Sequence, residues 1–225
     1  MQTPFFTVAW AVLRKDLRAE ARSRELIGAM GLFALMAILV YSFALELNRQ
    51  ARAESVSGVL WVTLIFASIL GFNRSLALER DQGNLDALLI APVSRAAVYL
   101  GKLAGNLVFM IVVAVVLLPL MTVLFNITLV QPLTLLVVAL GSFGFASVGT
   151  LLAAMTVQTR ARESLLPIVM LPIVLPLLLA CVRATAGIVN NAPSELWDTW
   201  LLILIALDAI FFGTCLLLFG AAVEE

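Results

Sequence analysis

The chain is predicted to be an all-α membrane protein with six spanning helices. Three observations predict this. Six apolar runs, each near spanning length, follow one another along 225 residues. Charged residues make up 12% of the chain and hydrophobic ones 63%. The mean hydropathy is +1.10. Soluble globular domains carry about 25% charged residues, so lipid must be the solvent around most of this chain. The runs leave no room for a soluble domain of useful size.

The first element is not a span. Over residues 4–25, Phe6, Trp10, Leu13 and Leu17 recur at helical spacing and form one apolar face, with Arg14, Arg18 and Arg22 beside it. That pattern predicts an amphipathic helix lying in the membrane interface, its arginines near lipid phosphates. A regulatory helix that binds a partner would have the same pattern. The following run starts only near Leu26 and is too long for a cleaved signal peptide. Residues 1–25 therefore form the interfacial segment, and 26–225 the six-helix transmembrane domain.

A bilayer core needs about 20 apolar residues of helix. By that measure the spans fall at roughly 26–46, 56–77, 100–125, 132–156, 164–186 and 198–220. Pro119 should kink the third. The fourth carries Ser142, Ala146, Thr150 and Ala154 at four-residue spacing, with Gly141, Gly144 and Gly149 nearby. Small residues let helices approach closely in lipid, so this span is a packing centre, within the monomer or at a dimer contact. Pro167, Pro172 and Pro176 predict kinks or a break in the fifth, which suits a gate but is also common in membrane helices.

Basic residues fix the expected orientation. Eleven of the fourteen lie on the N-terminal side of the membrane, while Arg49, Arg52 and Arg183 lie on the other. Both termini and the 78–99 loop are thus expected in the cytoplasm. Asp208 sits about ten residues into the sixth span, where an ionised carboxylate costs roughly 2.5–3.5 kcal/mol on insertion scales. It is either functional or protonated and hydrogen-bonded to a neighbouring helix. Arg183 is a candidate partner, or it snorkels outward. Arg74 should anchor the inner end of the second span.

The polar segment at 78–99 is the principal candidate site. Gly83-Asn84 is a turn pair. Leu85, Leu88 and Leu89 share one face of a short helix that Pro92 ends, and Asp86 falls on the other side. Ser94 can cap the helix that continues into the third span. Glu79 and Asp81 precede the turn. A solvated connector is the simpler reading, but it needs no three leucines at helical spacing.

Several chemistries are excluded or unsupported. The chain has no His, hence neither the commonest metal ligand nor the usual axial ligand of haem. Cys181 and Cys215 lie apart in apolar runs and form no metal or disulfide pattern; they read as small apolar fillers. There is no phosphate-cradling GxxxxGK[ST] loop, no HExxH and no GxSxG elbow. The chain is therefore not expected to be an enzyme, and any active transport draws on an ion gradient or a partner.

The run from Glu79 to Arg95, followed by Leu100-Gly101-Lys102, resembles the first cytoplasmic loop of ABC-2-type exporter permeases. Asn84 and Asp86 stand where that pattern has Thr and Glu. The stretch from Lys15 to Glu25 resembles the N-terminal segment of the haem exporter protein B family, the permease subunits of the cytochrome c maturation ABC complex. Gly58-Val59-Leu60-Trp61-Val62-Thr63, leading to Leu70-Gly71-Phe72-Asn73-Arg74-Ser75, resembles that family's second span.

The resemblance implies an ABC-2-type permease architecture in the inner membrane of a prokaryotic cell. It implies a cytosolic ABC ATPase subunit docked on the loop through Glu79, Asp81, Gly83, Leu85, Asp86, Leu88, Leu89 and Pro92. It further implies a haem-handling membrane subunit and a periplasmic haem chaperone, with ATP bound by the partner, haem handled by the complex, and no cofactor on this chain. Two ATPases need two docking sites, which points to a homodimer or a pseudo-symmetric pair. Lipids are partners and nucleic acid is not. Three other readings compete: a generic ABC-2 permease exporting a lipid, glycan or drug, a proton-driven transporter using Asp208, and a structural scaffold. Inverted repeats with paired broken helices would mark the second, and only one proline-rich span is present.

Overall fold

A computed structural model of the chain describes residues 4–45, 49–81, 93–156 and 162–224. Among them the chain forms seven α-helices: α1 (Phe5–Ser23), α2 (Glu25–Ala44), α3 (Arg49–Asp81), α4 (Arg95–Phe125), α5 (Pro132–Thr156), α6 (Arg162–Val189) and α7 (Asp198–Glu224). A short 3₁₀ turn, Ser194–Leu196, precedes α7. Six of the helices are long and apolar enough to cross a membrane: Glu25–Ala44, Gln50–Ser75, Arg95–Phe125, Pro132–Thr156, Ser164–Val189 and Asp198–Gly220. The protein is a multi-pass membrane protein of the all-α class, and its spans lie within a few residues of those read from hydropathy.

Helices α3 and α5 form the buried centre. About 72% of the spanning window is buried in each, against 22% in α2 and 17% in α7. The centre is not the most apolar part of the molecule. Its buried side chains include Ser57, Thr63, Ser68, Ser142, Ser147 and Thr150, while the outer helices turn leucines, isoleucines and valines outward. Lipid tails are as apolar as a leucine side chain. Burying leucines therefore gives little drive for association, and close packing of small residues takes its place.

The small-residue stripe of α5 supplies that packing within the monomer. Ser142, Ala146 and Thr150 are buried and Ala154 is partly buried. On adjoining faces Gly141 meets Trp61, Gly149 meets the Phe72 ring, and Gly144 meets Leu177 and Asp208. In each case a Cβ would collide with the side chain now lying there.

One expectation is narrowed and another changes. Helix α6 runs unbroken from Arg162 to Val189 through Pro167, Pro172 and Pro176, and α4 likewise contains Pro119. The prolines do not divide α6 into half-helices. Ser94 does stand at the N-cap of α4, but its side chain makes no capping hydrogen bond. Its backbone carbonyl accepts from Ala97 and Val98 instead, at 3.0 and 3.2 Å.

Candidate functional site

Of the loop residues singled out by sequence, Gly83, Leu85, Asp86, Leu88, Leu89 and Pro92 lie outside the described residues. The backbone of α3 includes Glu79 and Asp81 in its last turn and a half, and their side chains lie outside the description. What is defined is the pair of helices the loop joins, together with what grips them.

The start of α4 is clasped by α1. At Gly101 a Cβ would come within 2.7 Å of both the Ala9 carbonyl oxygen and Val12 Cβ, so only glycine admits α1 this closely. One turn on, Gly105 faces Leu13 and Asp16. The two helices therefore run side by side in the same sense. Between these glycines Lys102 Nζ lies 2.9 Å from Asp16 Oδ2, and the two side chains are 3% and 9% exposed. Lys15 Nζ lies 3.7 Å from the other Asp16 oxygen, and breaking so buried a pair costs up to about 3–5 kcal/mol.

Four residues beyond Asp16, Glu20 turns inward and is 6% exposed. Its carboxylate accepts hydrogen bonds from the backbone N–H groups of Ile27, at 2.8 Å, and Leu26, at 3.3 Å. It thus caps α2 across the α1–α2 corner and complements that helix's N-terminal dipole. The corner itself is Arg24, held in the left-handed conformation at φ 54°, with its N–H on the Glu20 carbonyl at 2.8 Å. Glu25, first in α2, forms an ion pair with Arg74 near the end of α3. Arg74, expected at the inner end of the second span, is followed by seven more residues of α3 and holds Glu25.

α1 has three faces about a third of a turn apart. Val8, Val12, Asp16 and Glu20 point to the bundle, with Val8, Val12 and Glu20 buried. Phe6 and Trp10 are exposed, as are Arg14, Arg18 and Arg22. Of the apolar stripe read from the sequence, Phe6 and Trp10 face outward while Leu13 and Leu17 turn toward α4 and the core, and the docking face beside it was missed. Asp16 and Glu20, four apart on the same side as Val8 and Val12, were the available signal.

The same end of the bundle is cross-linked further in. Tyr99 is fully buried and donates to the Ser147 carbonyl at 3.2 Å, while its ring lies 5.1 Å from that of Phe219. Asn106, 3% exposed, donates to Thr150 Oγ1 at 2.8 Å. Together these contacts tie α4 to α1, α5 and α7.

A second polar cluster lies in the middle of the bundle. Trp61 Nε1 donates to Thr185 Oγ1 at 2.9 Å, joining α3 to α6. Cys181, one turn before Thr185, is buried against Gly141. Asp208 of α7 is 4% exposed and lodges against Gly144 and Leu177. Neither of its carboxylate oxygens meets a hydrogen-bond donor among the described residues. Arg183 is exposed on α6, so the suggested Asp208–Arg183 pair does not form, and neither does a hydrogen bond from Asp208 to a neighbouring helix. No group of three His, Cys, Asp or Glu side chains converges on a metal site among the described residues.

Six spans around a small-residue core, with an N-terminal helix clasped to the third span, define a multi-pass integral membrane protein of the all-α class. The chain belongs to the CcmB protein family, whose profile matches residues 7–224. It is 31% identical to the heme exporter protein B of Rhodobacter capsulatus over 170 residues, covering 75% of this chain and 78% of that protein. It is 28% identical to heme exporter protein B of Paracoccus denitrificans over 187 residues, 79% of this chain and 84% of that one. With the Pseudomonas aeruginosa protein of that name it shares 25% identity over 187 residues, 83% of each chain.

Proposed function

We propose that this chain is the permease subunit of an ABC transporter complex for cytochrome c maturation. In this reading a cytosolic ATPase docks on the 78–99 segment. Leu85, Leu88 and Leu89 enter a groove on the ATPase, Glu79, Asp81 and Asp86 meet basic residues at its rim, and Gly83 and Pro92 bound the helix between them. Both termini face the cytoplasm, where eleven of the fourteen basic residues fall. Two copies, or a copy and a similar permease, accept two ATPases. ATP hydrolysis in the partner is coupled to haem handling, or to release of the haem-loaded chaperone, alongside a haem-handling membrane subunit. ATP stays in the partner, and this chain holds no cofactor.

Family membership and the names its relatives carry support this over export of an unrelated lipid, glycan or drug. The observation that carries the coupling is the joint at α4. The loop runs directly into a helix fixed to α1 by Gly101, Gly105 and the Lys102–Asp16 pair. A displacement delivered to the start of α4 therefore moves α4 and α1 together. A partner shifts such an equilibrium only by its different affinity for the two states, so the ATPase must hold the loop differently before and after closure. Asp208 is the residue within the bundle to which we assign a functional role. It is buried at the meeting of α5, α6 and α7, so relative motion of those helices changes its surroundings.

The test is charge reversal in the intact complex. Asp81→Lys with Asp86→Lys should leave membrane insertion unchanged, lower the amount of ATPase that co-purifies, and abolish cytochrome c maturation in cells. Normal maturation with full ATPase recovery would remove the docking assignment.

A further inference from the structure

Where α1 ends and α2 begins, the seam between α1 and α4 opens into a crevice of 550 Å³. Its walls are Leu17 of α1, Ile27 and Gly28 of α2, and Val108, Phe109 and Val112 of α4, with Arg24 and Glu20 as its charged members. Val108 and Val112 are one helical turn apart and are 37% and 38% exposed, uncovered by any helix among the described residues. Opposite them nothing stands within 4 Å of the Cβ position of Gly28. The result is a slot with aliphatic sides, open to the bilayer.

We propose that this crevice binds one anionic phospholipid, with its phosphate on Arg24 and an acyl chain between Gly28 and the Val108–Val112 face. The charges favour that occupant. Glu20 already receives the Leu26 and Ile27 N–H groups, so its negative charge is partly offset by the end of α2. Glu25 is paired with Arg74. Arg24 is exposed and in no ion pair among the described residues, and Arg18 and Arg22 add positive charge along α1. A guanidinium offers the forked donors that suit a phosphate. The slot holds no His, Cys, Met or Tyr to ligate an iron porphyrin. A lipid seated here would fill the gap between α1 and α2 beside the joint, and so hold α1 against α4.

The measurement is native mass spectrometry of the full-length protein, delipidated and titrated with phosphatidylglycerol or with the matching diacylglycerol, which lacks the phosphate. The intact chain should retain phosphatidylglycerol about fivefold better, the preference one arginine confers near a charged surface. Arg24→Gln should bring the two lipids level. Gly28→Leu, whose Cβ meets no neighbour within 4 Å and whose side chain would occupy the slot, should reduce retention of both while leaving the thermal midpoint in detergent unchanged. Arg183→Gln, at an exposed arginine elsewhere, should change neither. Equal retention of the two lipids by the intact chain, full retention by Gly28→Leu, or tighter binding of haem than of phosphatidylglycerol at this crevice would each overturn the assignment.

Discussion

The two polar clusters of this bundle are built on opposite principles. At the loop end, Lys102 has Asp16, Glu20 has two backbone donors, Arg74 has Glu25, Asn106 has Thr150 and Tyr99 has a carbonyl, with Arg95 Nη1 at the start of α4 the exception among the described residues. At mid-bundle, Trp61 is bonded to Thr185, but the Asp208 carboxylate beside it is buried with no donor on either oxygen among the described residues. A saturated polar network has one good arrangement and resists change. A buried acceptor that lacks a partner gains from any rearrangement that brings one. The contrast fits a body whose grip must be rigid and whose interior must respond, and it can be tested by the sign of the stability change on mutation.

The largest effect should come from the grip. Lys102→Met or Asp16→Leu alone should destabilise the purified protein, by up to about 3–5 kcal/mol, because each removes the closest opposite charge from a buried partner. Lys102→Met should cost the less of the two, since Asp16 keeps Lys15 at 3.7 Å. The double variant should recover most of that loss. Thermal or denaturant unfolding in a single detergent would measure the cycle. Additive losses would mean that the pair is not coupled, and the rigid end of the comparison would fail. Maturation should remain impaired in the double variant if the pair transmits force as well as holding the fold.

Asp208 should give the opposite sign. Replacing it by Val removes an unpartnered buried carboxylate and should stabilise the protein by about 1–3 kcal/mol, while lowering cytochrome c maturation. A stabilised protein with full maturation would make Asp208 a passive defect. A destabilised one would show that its oxygens are held after all, and the two clusters would then be alike.

The difference between the clusters also sets what the sequence could convey. The six spans were legible because the cost of putting backbone and charge into lipid leaves a run-length signal in the chain itself. The α5 stripe was legible for a related reason: Ser142, Ala146 and Thr150 have few other uses at that spacing in a span. Asp208 announced itself by position, but its surroundings did not, since Gly144, Leu177 and Cys181 come from two other helices. Asp16 and Glu20 were not singled out. Their burial depends on Gly101 and Gly105 some eighty residues on, and the only local hint of it was the side they share with Val8 and Val12. For the same reason Arg183 was matched to Asp208 by charge alone, and Ser94 was assigned a side-chain cap that the backbone carbonyl makes unnecessary.

The smallest predicted effect separates the corner from the clasp. Glu20 does two things: its oxygens accept from Leu26 and Ile27, and its charge meets the positive end of α2. Glu20→Gln keeps one acceptor oxygen and loses the charge, so it should cost less than about 1 kcal/mol, within the usual range of a charge–dipole contact. Glu20→Ala loses both and should cost about 1–2 kcal/mol. Hydrogen exchange at the Leu26 and Ile27 amides should quicken in the same order, while exchange around Gly101 stays slow, because the Lys102–Asp16 pair holds α1 on α4 independently. If exchange at both places rises together, then α1 is released as a unit, and corner and clasp form a single cooperative joint.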